Sequence, residues 1–318
     1  MLCYLGLIEL TMLVNLKEFD ELQDRALYSS DKIAEVYEGY IDKVMVDKGL
    51  CIIYHNNTKK RKIQVLAYAP LYVDSDDTET DQWNLTDKNI DKLIEKLNKR
   101  IRKYFLDEYS LSDFKANMIS ILTEVNLNKN KAHDYIRVFH KIRSVKYFSP
   151  VKYGKSDYEK KENYFGLIGN SSGFEFRVYS EDEESNILRI EVRLTKKSTI
   201  VDLSEQYSPE GQIKVIADKS SAIFKSALMS IVPPGDYYKR SDAIDLIYKK
   251  IPDMSMKRKM LRFMELITEK KSLFLAEQGV DYRKMGRILG AFDEISVSPI
   301  TLSKRHKIKF LPSLYEYL

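Results

Sequence analysis

The stretch Ile187-Leu-Arg-Ile-Glu-Val-Arg-Leu194 alternates apolar and charged residues with a period of two, and no other segment constrains the fold as strongly. Successive side chains of a β-strand leave opposite faces, so Ile190, Val192 and Leu194 share one face while Arg189, Glu191 and Arg193 share the other. Phe174-Glu-Phe-Arg-Val-Tyr179 repeats the pattern, with Phe174, Phe176 and Val178 opposite Glu175, Arg177 and Tyr179. A third run, Asn163 to Ile168, precedes them. The loops Gly169 to Gly173 and Ser180 to Asn186 have lengths that suit an antiparallel meander. The meander therefore carries one apolar face and one face of Glu, Arg and Tyr.

The rest of the chain frames it. The apolar opening MLCYLGLIELTMLVNL is interrupted at Glu9 and lacks a basic start and a cleavage site, so it reads as a buried first strand, with Met12 as an alternative start. Leu16 to Tyr40 has helical spacing and predicts one or two amphipathic helices. Gly49 to Tyr54 and Lys62 to Val73 predict a hairpin, and Val73 to Asp81 an acidic loop. Thr86 precedes a stripe of Ile90, Leu93, Ile94, Leu97, Ile101 and Phe105, a capped helix with a basic outer face. Met118 to Leu127 reads as a strand and Asn130 to Phe148 as a helix. From Asp218 onward nearly everything has helical period, broken at Val232-Pro-Pro-Gly235 and Ile251-Pro252. The expected architecture is α+β, with an antiparallel sheet flanked by helices over residues 1–205 and a helical region over 206–318.

Composition narrows the function classes. The 318 residues carry 52 Lys+Arg against 47 Asp+Glu, a net charge of +5, which is compatible with a polyanionic partner without demanding one. Two cysteines, Cys3 and Cys51, cannot build a disulfide framework or a zinc site alone, which makes a reducing, cytoplasmic setting the expectation. The sequence contains no phosphate-binding Gly-x-x-x-x-Gly-Lys-Ser/Thr, no Gly-x-Gly-x-x-Gly and no Gly-x-Ser-x-Gly elbow. None of His55, His133, His140 and His306 has metal-motif spacing.

Two readings of the polar strand face stay open. One is a solvated face held by cross-strand ion pairs. The other is a phosphodiester site, with Glu191 holding a divalent cation and Arg177, Arg189 and Arg193 forking onto phosphate oxygens. Likewise Met254 to Arg262 and Asp281 to Arg287 are either solvated helix faces or a helix-turn-helix-like DNA contact.

Three segments, Leu111 to Leu127, Phe176-Arg-Val-Tyr179 with Ile187 to Leu194, and Ile295 to Leu302, resemble in order and content the rolling-circle replication initiators of Gram-positive plasmids and phages, relatives of the filamentous-phage gene II replicase. The resemblance implies Mg or Mn held by strand carboxylates and a tyrosine that attacks the DNA backbone. Arg189 and Glu191 match one motif, and Arg177 and Tyr179 another. Asn126 stands where a ligand aspartate is expected, within Glu124-Val-Asn126 in place of Arg-Ile-Asp. Ser180-Glu181 replaces Asp-Lys, and Leu203 follows Asp202 where the nucleophile is expected. Tyr207 is then the nearest nucleophile, against a packing or surface role. Lys196 and Lys197 join the three arginines as DNA contacts.

The function implied is tyrosine-mediated nicking and joining of origin DNA, with a catalytically inactive DNA-binding or assembly protein as the alternative that the departures favour. DNA is the implied partner, as single strand or origin hairpin. A helicase and a second copy of the chain are open cases, and nothing points to a membrane.

Overall fold

The computed structural model describes residues 3–29, 33–34, 41–47, 49–57, 60–72, 87–105, 107–142, 148–151, 163–169, 171–182, 184–280, 282–303 and 306–317. The chain is α+β. Ten strands form one antiparallel sheet: β1 (Tyr4–Val14), β2 (Ile33–Ala34), β3 (Ile41–Asp47), β4 (Leu50–Asn57), β5 (Lys60–Tyr68), β6 (Lys115–Asn126), β7 (Phe148–Pro150), β8 (Tyr164–Gly169), β9 (Phe174–Tyr179) and β10 (Ile187–Leu194). Their order across the sheet is β2-β3-β4-β5-β1-β6-β10-β9-β8-β7. The apolar opening is a strand, as expected, and it lies at the centre between β5 and β6.

The helices α1 (Leu16–Ser29), α2 (Asp87–Tyr104), α3 (Ala132–Ile142), α4 (Lys197–Ser204) and α5 (Pro209–Asp218) belong with this sheet. Ile190, Val192 and Leu194 of β10 join Ile119 and Ile121 of β6 and Phe176 and Val178 of β9 in one core with Ile200 of α4 and Ile213 and Ile216 of α5. On α3, Phe139 lies 5.5 Å from the Phe165 ring and 6.0 Å from Phe176. The period-two alternation thus delivers one whole sheet face to the helices. The residues of the opposite face, among them Met118, Leu122 and Tyr164, are buried but stand outside that core cluster.

Several boundaries differ from the sequence reading. The helix expected across Leu16 to Tyr40 ends at Ser29, and Ile33 pairs with Met45 as a strand residue. Strand β3 went unforeseen. The second hairpin strand stops at Tyr68, where Pro70, with no N–H for a ladder, enters a short 3-10 turn, Ala69–Tyr72. Phe148 leaves the helix expected from Asn130 and starts β7. The expected acidic loop at Val73 to Asp81 lies outside the described residues. A boundary at 205/206 would cut between α4 and α5. Yet α5 packs with the sheet layer: Asn98 of α2 donates to Glu210 at 2.9 Å and Lys214 meets Asp91 at 2.8 Å. The core itself is continuous across the end of α5, from Ile213 and Ile216 of that helix to Ile223 and Phe224.

Beyond α5 lie α6 (Ser220–Ile231), α7 (Arg240–Lys250), α8 (Met254–Lys270), α9 (Leu273–Gln278) and α10 (Tyr282–Glu294), with a small ladder of β11 (Tyr237–Tyr238) and β12 (Phe310–Leu311). This region holds on to α3. The Tyr135 ring stands edge-on to Tyr237 and Tyr317, and its hydroxyl donates to the Pro312 carbonyl at 3.0 Å. Lys141 donates to the Thr301 carbonyl, Lys239 to the Ser303 and His306 carbonyls, and His306 Nε2 lies 3.2 Å from the Asp134 carbonyl. Among the described residues no helix is long and apolar enough to cross a membrane.

Two outcomes follow. Phe139→Ala removes a fully buried ring that clamps α3 to β8 and β9, so urea unfolding is expected to show a loss of about 3 to 5 kcal/mol. Burial, helped by the Lys239 charge, lowers the Lys141 ammonium from 10.5 to about 8. Between those values the unfolded chain binds more protons than the folded one, so the destabilisation from burying this ammonium is complete below pH 8 and fades toward pH 10.5. The stability of the wild type relative to Lys141→Met is therefore expected to be flat below pH 7 and to rise from pH 8 to 10.

Candidate functional site

The polar face of the sheet is built in three rungs. In the first, Tyr164, Tyr179, Arg189 and Glu124 stand side by side across β8, β9, β10 and β6. In the second, Gly166, Arg177, Glu191 and Leu122 follow, and β1 continues it with Tyr4. The third holds Ile168, Glu175, Arg193 and Ser120. Tyr68 of β5 joins from the far side of β1, where it pairs with Leu7.

A bulge in β1 shapes this face. The register with β6 shifts between Leu5 and Ile8, the freed Leu7 N–H donates to the Ser120 hydroxyl at 2.6 Å, and a Cβ on Gly6 would come within 2.6 Å of that oxygen. A side chain there would push the Ser120 hydroxyl off the Leu7 N–H. Leu5 and Ile8 both remain in the core in spite of the odd spacing, while Tyr4 keeps to the polar face.

Each arginine of the face is already engaged. Arg177 donates Nε and Nη2 to Glu175 Oε1 at 3.0 and 2.7 Å and lies over the Tyr164 ring. Arg189 bridges Glu124 and Glu181, at 2.6 Å to each. Arg193 Nε lies 3.0 Å from Glu191 Oε1, outside hydrogen-bonding geometry, and finds no other acceptor. Three arginines thus meet four carboxylates, and the face is not a positive patch. Glu191 and Glu175 are buried, and Glu124 and Glu181 are exposed.

The phenols are held in the neutral form. Burial raises Tyr179, and Glu191 adds to it. Burial also raises Tyr4, with Glu124 next, and Tyr68, where Arg189 opposes and Glu124 and Glu191 reinforce. A neutral phenol is a hydrogen-bond donor with a π-face and a weak nucleophile.

Of the residues singled out from sequence, Arg177, Arg189, Glu191 and Arg193 come together on this face. Asn126 does not join them. It pairs with Ile187, four residues along β10 from Glu191, a separation of roughly 13 Å at the usual strand rise. Its Oδ1 instead accepts from Asn128 N at 2.9 Å and caps the turn into α3. The residues present therefore do not fit a shared Mg or Mn site: Glu191 meets Arg193, and Glu124, on the diagonal, is held by Arg189. Among the described residues no three His, Cys, Asp or Glu side chains group as metal ligands.

Tyr207 is 85% exposed in the link between α4 and α5, the helices that cover the apolar face, so the sheet separates it from Glu191. Lys196 donates to the Ser171 carbonyl at 3.0 Å beyond the far end of β10, and Lys197 follows it into α4. On α8, Arg262 pairs with Glu265 and Glu269, and Lys257 lies over the Tyr248 ring; Asp281, at the start of the other basic segment, lies outside the described residues.

Sequence reasoning missed Tyr4 and Tyr68. With 22 tyrosines in the chain no single one stands out, and only the placement of β1 between β5 and β6 brings Tyr4 and Tyr68 to Glu124 and Arg189. Compared with protein-family models and with curated proteins, the sequence matches none.

Glu191→Ala is expected to cost about 3 kcal/mol or more in urea unfolding, because Arg193 loses its counter-charge while mostly buried. The double change Glu191→Leu with Arg193→Met is expected to stay near wild-type stability, since both charges leave together.

Proposed function

We propose that the protein is a DNA-binding member of the rolling-circle initiator type, acting on the DNA of a mobile element, and that it binds without forming a covalent tyrosine link. The observation that carries this reading is the grouping of Tyr4, Tyr68 and Tyr179 with Arg189, Glu124 and Glu191 on one sheet face, the phenols held neutral. Tyr68 is 39% exposed, with Tyr4 and Tyr179 half-buried beside it, and an aromatic ring with an accessible face is a stacking platform for an unpaired base, worth about 1 to 3 kcal/mol per base. Arg189, partly exposed between two exposed carboxylates, can exchange one of them for a phosphate in its fork. The likeness in segment order supports DNA as the ligand, and single-stranded DNA suits stacking best.

A second reading, nicking, has one observation in its favour: Glu191 is a buried carboxylate set among phenols, a pairing that phosphodiester chemistry uses. Under that reading the nucleophile is on this face, and Tyr207 is not it.

The test is binding of a labelled single-stranded oligonucleotide, followed across a salt series and on a denaturing gel. Affinity is expected to fall steeply with salt. Tyr68→Ala with Tyr179→Ala is expected to weaken binding at least tenfold, whereas the Phe pair, which keeps the π-faces, binds as the wild type does, and Tyr207→Phe changes nothing. An adduct that survives denaturation and maps to a tyrosine would replace this reading with nicking. Absence of salt-sensitive binding would remove DNA from the account.

A further inference from the structure

A sheet face with three arginines and four carboxylates has no surplus of positive charge for a polyanion, so phosphate affinity has to come from somewhere else on the surface. Where β6 turns into α3, the structure has a cleft of 270 Å3 that collects cationic side chains from several elements. Lys129 comes from the turn, His133 and Arg137 from the first turns of α3, and Lys307 from the C-terminal segment. Lys131 also lines it, already bound to Glu184 of the β9–β10 loop. Beside that pair, Lys129 and Lys307 stand against one further carboxylate, Asp134, among the described lining residues. His133, 7% exposed, adds an imidazole to the wall.

The cleft abuts the end of the sheet face that carries Arg189. Asn126 ends β6 there and caps the turn that presents Lys129, and the β9–β10 loop supplies both Glu184 to the cleft and Glu181 to Arg189. Its volume is just under the range of about 300 to 1,000 Å3 usual for small-molecule sites, a size for one phosphate group and its immediate attachments. Its segments are also far apart in the chain, and Lys307 arrives only because His306 docks on the Asp134 carbonyl of α3. Lys307 is therefore added to the cluster from the turn and α3 by the docking between the C-terminal region and α3.

We propose that this cleft is a phosphate-binding site, and that its phosphate comes from the backbone of a DNA strand whose bases lie on the Tyr4, Tyr68 and Tyr179 face. The second half of this statement rests on the DNA-binding reading; the first does not. Lys129 and Lys307, both exposed, supply the charge of the cleft, and Arg137 lines it beside them.

The experiment compares the full chain with Lys129→Glu/Lys307→Glu, both changes being at exposed positions that the fold tolerates, which a matching thermal midpoint would verify. Two probes are used: a labelled single-stranded oligonucleotide across a salt series, and pyrophosphate in a thermal-shift titration. The double variant is expected to bind the oligonucleotide at least tenfold more weakly, with a salt slope smaller by about 1.4, two contacts at about 0.7 each for single strands. Loss of the pyrophosphate shift with unchanged oligonucleotide binding would keep the phosphate site and assign it to a free phosphate compound instead of DNA. Wild-type affinity and slope together with a wild-type pyrophosphate response would overturn the proposal. A wild type that binds no oligonucleotide would defeat the DNA-binding reading alone, leaving the pyrophosphate arm to judge the cleft.

Discussion

The register between β6 and β10 is the constraint on which the rest of this structure depends. It sets Ile190 against Thr123 and Val192 against Ile121 on one face, and Arg189 against Glu124 and Arg193 against Ser120 on the other. A slip of one residue would turn every one of these side chains to the wrong face, driving Glu191 and two arginines into a core built from Ile119, Ile121, Phe176 and Ile200. Burial of the apolar face therefore fixes the composition of the polar one. The helices α3, α4 and α5 pack on the face that is apolar, and the charged face lies on the other side of the sheet.

Charges on that second face settle one another locally. Arg177 with Glu175 and Arg193 with Glu191 are pairs two residues apart on the same strand, and Arg189 reaches across to β6 and out to the β9–β10 loop. Such pairs hold the guanidinium planes in place more than they stabilise the fold. If the face binds DNA as proposed, a ligand would have to displace a carboxylate to gain an arginine, so a single phosphate would gain little there and one that adds base stacking would gain more. The surplus of cations lies in the cleft next to α3. The two surfaces share one end of the sheet, and their chemistry differs, one aromatic and charge-balanced, the other cationic.

The C-terminal region is tied to this arrangement by polar contacts that converge on α3. Tyr135, Lys141 and the Asp134 carbonyl each meet a partner beyond residue 300, and Lys239 holds the Ser303 and His306 carbonyls from the other side. The buried ammonium of Lys141 is kept at a free-energy cost visible in its lowered pKa, which marks the docking as specific in geometry.

Local pattern alone determined a good deal. The meander of β8, β9 and β10, the two-faced strand Ile187 to Leu194, the helix from Asp87 and the α+β class follow from periods of two and of 3.6, because alternation and helical stripes are properties of neighbouring residues. So did the grouping of Arg177, Arg189, Glu191 and Arg193, since all four lie on adjacent strands joined by short loops. What the tertiary structure decided is everything that depends on strand order and on contacts between distant segments. The central place of β1, with its bulge at Gly6, brings Tyr4 and Tyr68 to Glu124 and Arg189. Strand length carries Asn126 away from Glu191, the helical layer puts Tyr207 behind the sheet, and the docking of residues near His306 on α3 gathers Lys129 and Lys307 into one cleft. Sequence spacing carries no record of these placements, because they follow from which apolar surfaces bury one another in three dimensions.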